Sequence, residues 1–415
     1  MNLLGFGPAR IATLVGPILD QGEAQSGLAD GREAHEELLA RAAWTCVAEP
    51  GDGAAGGVVA AVGAAASLRL LGTRGSSRAL RALCADRGLE EVAESVGAAW
   101  ASGVGRWAPR LDAEAVVAAL DLARASGARL AVPGSASWPA RVDDLGVHGP
   151  IALWVRGRIP AAVFERSIAL VGARAATGYG EHVTMDAASG LVDRGFAIVS
   201  GAAYGIDGMA HRAALADGGT TVAFLAGGAD RPYPSGHASL IARIAETGAV
   251  YSEVPCGVAP TKWRFLERNR LIAATSAATV VLEAGSRSGS LNTAGHAASL
   301  GRPLGAVPGP VTSAASAGCH RLLREYDATC VTTAAEMAEL VGPPAASDVS
   351  GAATLSGRGS PVAESVLAAL GRRRPSSVGE LAVVTSRSTG DVQAALGLLD
   401  LEGVVVERGG GWVRL

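Results

Sequence analysis

From residue 167 onward, the chain carries short apolar runs that end at glycines and alternate with amphipathic stretches. The runs occupy residues 168–171, 197–199, 221–225, 278–282 and 304–307. Strands of this length separated by helix-sized segments form βαβ units, because parallel strands need a long crossover connection. The pattern therefore predicts an α/β fold with an extended Rossmann-like, mainly parallel sheet over residues 136–342.

Three further regions flank the predicted sheet. Residues 1–135 are rich in Ala, Leu, Arg and Glu, with helical spacing over 33–47 and 113–126, which predicts an N-terminal helical domain. Residues 343–360 are rich in Pro, Ala, Ser and Gly without periodicity, which predicts a flexible linker. The last region has three helix-like segments followed by two strand-like ones, at 361–370, 378–384, 390–401, 403–407 and 411–415. That order predicts a winged-helix domain over 361–415.

Composition narrows the possible partners and compartment. The 36 basic and 39 acidic residues give a formal net charge of -3, so a polyanion site has to be a local cluster. The five cysteines are scattered without a Cys-x-x-Cys pair, which favours reduced thiols and a cytoplasmic location. The apolar opening of the chain lacks a basic segment and is interrupted by Arg10, so we expect no signal peptide. Residues 54–66 are too short and too glycine-rich for a membrane span, so we expect no membrane contact.

Glycine-flanked loops follow four of the predicted strands. Ligands of open parallel sheets bind beyond the carboxyl ends of the strands, where helix N-termini present free backbone N–H groups. Four such loops in series predict an anion pocket, since one glycine cluster alone is usually only a turn. The candidate contacts on these loops are Gly172, Arg174, Thr177, Ser200, Gly201, Tyr204, Gly205, Arg231, Ser288, Gly289 and Ser290.

The familiar nucleotide fingerprints are missing from these loops. No G-x-G-x-x-G follows the first strand, and Ser200-Gly201 stands where a dinucleotide fold places a ribose-binding carboxylate. No G-x-x-x-x-G-K-[ST] occurs in the chain. The sequence thus argues against NAD and against a P-loop ATPase, and we expect no cofactor.

A basic and aromatic run precedes the fourth of these strands. Residues 262–270 hold four cations, one anion and two aromatic residues, and Lys262 is the only lysine in the chain. Basic groups contact the phosphate backbone while aromatic faces stack on unpaired bases, which is the physics of single-strand binding. The candidate residues in this run are Lys262, Phe265, Arg268, Asn269 and Arg270.

Taken together, these motifs resemble those of the DprA/Smf family. The resemblance runs from about Trp138 to Val341 and rests on segments in family order, at 168–180, 198–215, 230–234, 252–253, 265–270, 283–291 and 306–309. It implies an extended Rossmann domain that binds single-stranded DNA, forms a homodimer and helps to load the RecA recombinase during natural transformation. It also implies that the pocket contains Arg174, Lys262, Phe265 and residues 268–270. The family often carries a winged helix and a variable helical N-terminus.

Two positions depart from the family pattern. Tyr204 stands where many relatives have arginine, which removes a possible phosphate contact but supplies a ring for stacking on a base. His320 stands where asparagine is common, which leaves the role of the last loop open.

Several polar residues near the predicted strand ends also have structural interpretations. Asp207 at a helix start is expected to cap backbone N–H groups rather than to act as an acid or base. His211 is expected to be packed, and no metal is predicted because no second ligand stands at suitable spacing. Glu253 and Glu283 are expected to anchor loops through arginines or backbone N–H groups. For Arg268 and Arg270, in contrast, we favour a binding role, and we expect no catalytic residue.

Two other functions remain open at this stage. A related Rossmann-like group hydrolyses nucleoside monophosphates, but residues 288–293 lack the P-G-G-x-G-T-x-x-E arrangement of those enzymes. A scaffold that binds only protein leaves the basic and aromatic run unexplained. Within residues 361–415 the acidic and basic residues balance, so a protein contact fits the winged helix as well as duplex reading does.

Overall fold

The computed structural model describes residues 3–19, 31–342, 361–371, 375–401, 404–408 and 411–414. The chain divides into two compact units, Met1–Pro343 and Pro344–Leu415. The predicted linker at 343–360 lies outside the described residues.

The first unit begins with helices. Side-chain caps fix several starts: Asp52, Ser76 and Asp112 each accept backbone N–H groups of the turn that follows. Trp44, Trp100 and Trp107 are buried together, with ring centroids 5.3 and 6.0 Å apart in edge-to-face contacts. The helices are α1 (Pro8–Val15), α2 (Arg32–Val47), α3 (Gly53–Val62), α4 (Ala64–Gly72), α5 (Ser77–Ala85), α6 (Glu90–Trp107) and α7 (Ala113–Ser126).

The helical region and the sheet share one hydrophobic core. Trp154, Ala229 and Cys256, which come from or follow strands of the sheet, belong to the same buried cluster as the tryptophans of the helical region. Trp154 is fully buried and donates its indole N–H to the Thr45 hydroxyl at 3.2 Å. Packing therefore joins the two parts within Met1–Pro343.

A nine-stranded sheet forms the centre of this unit. Its order is β1-β2-β6-β5-β4-β3-β7-β8-β9; β2 pairs antiparallel with β1 and β6, and the other neighbours pair parallel. The predicted mainly parallel sheet is confirmed. The strands are β1 (Arg129–Ala131), β2 (Leu153–Gly157), β3 (Ser167–Gly172), β4 (Ala197–Ser200), β5 (Thr221–Leu225), β6 (Ala249–Ser252), β7 (Ala278–Glu283), β8 (Leu304–Ala306) and β9 (Thr329–Cys330).

Crossover helices connect the parallel strands. They are α8 (Gly178–Asp193), α9 (Ile206–Ala216), α10 (Ala238–Thr247), α11 (Lys262–Thr275), α12 (Ser290–Ser299) and α13 (Ala317–Glu325), followed by α14 (Ala334–Glu339). The chain order runs outward from β3 in one direction through β4, β5 and β6, and in the other through β7, β8 and β9. The crevice between β3 and β7 is thus the topological switch point, where ligands of such sheets bind.

The second unit has the predicted winged-helix order. Helices α15 (Pro361–Ala369), α16 (Val378–Thr385) and α17 (Thr389–Leu401) precede the antiparallel pair β10 (Val405–Arg408) and β11 (Gly411–Arg414). Ser377 and Glu380 form a capping box at the start of α16. Buried apolar side chains of all three helices and of β10 form its core.

In the part of the chain described, no single helix is long and apolar enough to cross a membrane. The consecutive helices α3 and α4 reach that length only together, across a bend of 111°.

Candidate nucleic-acid interface

A cavity of about 530 Å³ opens at the switch point. It is bounded by the loops that follow β3 and β7, by the start of α12 and by one face of α11, with Ala203 of the β4 loop at its side. Its charged lining residues are Arg174, Arg268, Arg287 and Asp207. Three guanidinium groups thus face one carboxylate, so a locally positive site exists in a chain whose formal net charge is -3.

The mouth of the cavity carries a cation stacked on an aromatic ring. Arg174, in the loop after β3, is exposed, and its guanidinium carbon lies 5.0 Å from the centroid of the Phe265 ring. Such contacts hold the guanidinium plane against the ring while its N–H groups stay available. Arg174 can therefore donate to a phosphate, and Phe265 offers an apolar face beside it.

Close backbone approach fixes the β3 and β4 loops against each other. Gly205 has φ +74°, and a Cβ there would lie 2.3 Å from the Ala173 carbonyl oxygen. The next residue, Ile206, donates its backbone N–H to that same oxygen at 3.1 Å. Only glycine fits this position, so the loop path depends on Gly205.

The buried Asp207 carboxylate joins the end of β3 to the loop that follows β4. It is buried and accepts the backbone N–H of Gly201 at 3.2 Å, and the backbone N–H groups of Ala203 and Gly172 also bond to it. Burial raises the pKa of Asp207, against the charge of Arg268 and these three N–H groups. The predicted cap at the start of α9 is wrong: the N–H groups that Asp207 accepts belong to the end of β3 and to the loop after β4, because the carboxylate is buried beneath them.

The buried Arg268 side chain lines the cavity. Its Nη1 donates to the Gly201 carbonyl oxygen at 2.7 Å and also to that of Phe224, and its Nε donates to the Asn269 side chain at 3.2 Å. Nη2 makes no hydrogen bond within the described residues. Burial lowers the pKa of Arg268 to about 10, with Asp207 opposing the shift and Arg174 adding to it. A Cβ on Gly201 would lie 2.4 Å from Nη1, so this glycine makes room for the guanidinium.

A second carboxylate, Glu283 at the end of β7, holds the start of α8. It accepts the Thr177 backbone N–H at 2.9 Å and the Thr177 hydroxyl at 2.6 Å. The Thr177 oxygen also caps α8 by accepting the Gly180 N–H. The expected anchoring role of Glu283 is confirmed, and the Thr177 hydroxyl is engaged inside the protein.

Helix α11 presents two different faces. Phe265 and Asn269 line the cavity, and Lys262 stands one turn before Phe265 on the same helical face, exposed. Asn269 donates to Asn292 at 3.1 Å, which joins α11 to α12. Of the five candidate residues in the run, Phe265, Arg268 and Asn269 line the cavity, whereas Lys262 is exposed on α11 outside the lining.

Two other arginines of α11 bind carboxylates outside the cavity. Arg264 pairs with Glu49 of the helical region at 2.9 Å. Arg270 is buried and forms a two-point ion pair with Glu253, at 2.7 and 2.8 Å. The structure thus places Arg270 away from the cavity, in contrast to the binding role favoured from the sequence, and confirms that Glu253 anchors an arginine.

The remaining predicted residues divide into two groups. Gly172, Ser288, Gly289 and Ser290 line the cavity, and the Ser288 and Ser290 hydroxyls are 2.7 Å apart. Outside the lining, Ser200 is buried and donates to the Leu170 carbonyl oxygen, and Gly201 and Gly205 shape the loops. Tyr204 and Arg231 are exposed on the β4 and β5 loops.

Sequence reasoning missed two residues of this surface. Arg287 lines the cavity from the β7 loop, and Tyr233 on the β5 loop lies with its ring 5.3 Å from that of Phe265. Both stand in loops that the strand pattern identified, so a survey of every cation and aromatic residue in those loops would have found them.

His211 is buried and uncharged. Its Nδ1 lies 2.7 Å from the Thr221 hydroxyl oxygen, which donates its own hydrogen to the Ile198 carbonyl. Nδ1–H is therefore the donor, and Nε2 has no partner among the described residues. Burial, and to a smaller extent the charges of His237, Arg268 and Arg212, together lower the pKa of His211 to about 3. Among the described residues, no group of three metal-ligating side chains occurs.

Comparison with known proteins decides the family. A family model described as DNA recombination-mediator protein A matches residues 129–342, and one for the DprA winged helix domain matches residues 343–411. The chain belongs to the DprA/Smf family. A putative DNA processing protein DprA of Mycobacterium tuberculosis is 46% identical to it in an alignment of 318 positions that covers 71% of this chain and 78% of that protein.

Two other members of the DprA/Smf family are similar over smaller parts of the chain. Protein Smf of Escherichia coli is 41% identical over 191 residues, which are 46% of this chain and 50% of that protein. The X-ray structure of DNA processing protein A from Streptococcus pneumoniae superposes with a TM-score of 0.51 at 30% identity, covering 58% of this chain and 81% of that one. The DprA/Smf fold is thus shared beyond the sequence motifs.

Proposed function

We propose that this chain binds single-stranded DNA at the cavity between β3 and β7 and takes part in DNA processing during transformation. The observation that carries the proposal is the exposed Arg174 guanidinium stacked on Phe265 at the mouth of a cavity with three arginines and one carboxylate. Family membership supports the same conclusion. Phosphates are bound by Arg174, Lys262 and the free Nη2 of Arg268, and an unpaired base stacks on Phe265.

We propose further that binding involves no covalent chemistry. A hydrolase at this place needs a carboxylate free to activate water. Asp207 instead accepts three backbone N–H groups, and Glu283 accepts two hydrogen bonds from Thr177. Release of free base from a panel of nucleoside monophosphates would favour the hydrolase alternative over this proposal.

The test is a fluorescence-anisotropy titration of single- and double-stranded oligonucleotides across salt concentrations. In the double variant Arg174→Ala/Lys262→Ala, each substitution removes one charge-assisted hydrogen bond to a phosphate and should raise Kd for single strands by roughly 10-fold or more. The slope of log affinity against log salt falls by about 0.7 for each phosphate that is no longer neutralised.

Arg243→Ala is the matched control for charge. Arg243 is exposed on α10 and is not among the cavity residues. This variant should retain both the Kd and the salt slope of the wild type. Unchanged binding in the double variant would reject the cavity as the DNA site.

We also propose, from family membership, a homodimer that loads the RecA recombinase on the bound strand, in the cytoplasm. The five cysteines are free, which supports a reducing compartment. Light scattering tests the dimer, and stimulation of RecA filament formation on a coated single strand tests the loading. The domains 1–135, 136–342 and 361–415 with the linker 343–360 remain a proposal, in which the first domain contributes β1 to the sheet of the second.

A further inference from the structure

Two exposed tyrosines stand next to the cavity but outside its lining. Tyr204 directly follows Ala203, which lines the cavity, and Tyr233 lies in the loop after β5. Because β4 is next to β3 and β5 is next to β4, both loops extend the same edge of the sheet away from β7. We call Tyr204 and Tyr233 the tyrosine shelf.

Tyr233 brings the shelf into contact with Phe265, whose ring lines the cavity. The Tyr233 and Phe265 rings are 5.3 Å apart at an interplanar angle of 55°, and Phe265 in turn carries Arg174. Tyr233 remains 47% exposed. An aromatic surface therefore runs from the switch point onto the β5 loop without a gap.

Tyr204 is held firmly with half of its surface free. Its ring meets His237 edge-to-face at 4.8 Å and 73°, and a Cβ on Gly236 would lie 2.6 Å from its hydroxyl oxygen. His237 is buried, and its Nδ1 lies 3.0 Å from the Ala202 carbonyl oxygen. Tyr204 is nevertheless 50% exposed. A supported ring with a free face is suited to stacking, because little conformational entropy is lost on binding.

The placement of exposed rings in the described residues is not uniform. The chain has 7 Trp, 5 Tyr and 5 Phe, and the exposed ones are Tyr179, Tyr204, Tyr233, Trp263 and Tyr326. All but Tyr326 stand in loops at the carboxyl ends of strands or in the first turn of the helix that follows. Aromatic residues that are exposed without a function are expected to be scattered over the surface and not concentrated at one edge of the sheet.

We propose that the tyrosine shelf, with Arg231, is a second nucleotide subsite that receives the bases next to those held in the cavity. The inference rests on the proposed function and adds the path of the strand, from β3 across the β4 and β5 loops. Arg231 is exposed two residues before Tyr233 and supplies a phosphate contact. The 55° tilt between Tyr233 and Phe265 splays the two bases, which a single strand permits and the parallel stack of a duplex does not.

The test compares oligothymidylates of two lengths, one of about 3 nucleotides that fits the cavity and one of about 20 that also covers the shelf. Tyr204→Ala and Tyr233→Ala should each raise Kd for the long oligonucleotide by roughly 5- to 100-fold and leave Kd for the short one unchanged. Tyr233→Phe should bind like the wild type, since it keeps the ring. Tyr233→Leu keeps an apolar contact with Phe265 and removes only the ring, so it covers the case in which the alanine variant is unstable.

Tyr326→Ala is the control for loss of an exposed tyrosine, since Tyr326 follows α13 and precedes β9, away from the shelf. A long oligonucleotide with abasic residues over the shelf supplies the second control. The wild type should lose the part of the length advantage that base stacking supplies, whereas the shelf variants should show no further loss. If the shelf variants bind the long strand like the wild type while Arg174→Ala binds it more weakly, the tyrosine shelf is not a subsite, but the cavity is still the DNA site. If Arg174→Ala is also without effect, the proposed function itself fails.

Discussion

Replacing Arg270 separates stability from DNA binding within one basic run. The Arg270 and Glu253 side chains are only 3% and 10% exposed, and they form a two-point ion pair. Arg270→Met leaves the Glu253 carboxylate buried with the Gly51 backbone N–H, at 3.3 Å, as its remaining hydrogen-bond donor. Removing one partner of such a pair costs about 3–5 kcal/mol.

That cost converts to a measurable change in melting temperature. With an unfolding entropy of about 2.1 cal/mol/K per residue, the 343 residues of the first unit have an entropy of about 0.7 kcal/mol/K. The apparent midpoint should therefore fall by about 4–7 °C. Calorimetry measures the midpoint, and anisotropy below the transition should show an unchanged Kd for single-stranded DNA.

The double variant Arg270→Met/Glu253→Leu is the control for this argument. It removes both charges, and replacing a buried pair by apolar residues is often neutral, so most of the stability should return. If Arg270→Met melts like the wild type and binds DNA as weakly as Arg174→Ala does, the ion pair with Glu253 is not the role of Arg270. Arg270 would then be a phosphate contact after all.

Two further predictions concern the loop contacts and the buried histidine. Gly205→Ala should lower both the melting midpoint and the affinity for single strands. The reason is that φ is +74° and the new Cβ would lie 2.3 Å from the Ala173 carbonyl oxygen. As a control, Gly178→Ala should change neither quantity, because its Cβ would meet nothing within 4 Å. Burial holds the pKa of His211 near 3 in the folded protein, below its ordinary 6.5. Between these two pH values the unfolded state therefore binds more protons than the folded state. The free energy of unfolding should fall as the pH drops through this range, by up to about 1.4 kcal/mol per pH unit. Urea unfolding at a series of pH values measures the slope of the unfolding free energy against pH. This slope should be flatter for His211→Leu than for the wild type and unchanged for His182→Leu, whose histidine is exposed. Equal slopes in all three proteins would contradict the assignment to His211.

Strands β3, β4, β5, β7 and β8 could be predicted from sequence because each is buried on both faces and appears as a continuous apolar run. The apolar pattern does not identify strands β1, β2, β6 and β9. They have two to five residues, and β1, β2 and β9 lie at or near the sheet edges, so neither length nor pattern distinguishes them from loops.

The sequence predicts that the loops at the strand ends lie close together, but it does not predict which side chains of α11 line the cavity. Arg174 and Phe265 meet because their elements converge at the switch point. Counting charges over residues 262–270 could not show that Arg264 and Arg270 pair with carboxylates outside the cavity. Their partners, Glu49 and Glu253, are distant in sequence, so only the three-dimensional structure identifies the pairs.

The shared core of the helical region and the sheet limits how this protein can be dissected. A chain shortened to start at residue 136 would expose the fully buried indole of Trp154 to water and remove Glu49 from Arg264 on α11. Failure of such a fragment to bind DNA would report aggregation or a displaced helix as readily as the absence of a DNA-binding residue. Point substitutions in the intact chain are therefore the sound route to assigning roles to the first 135 residues.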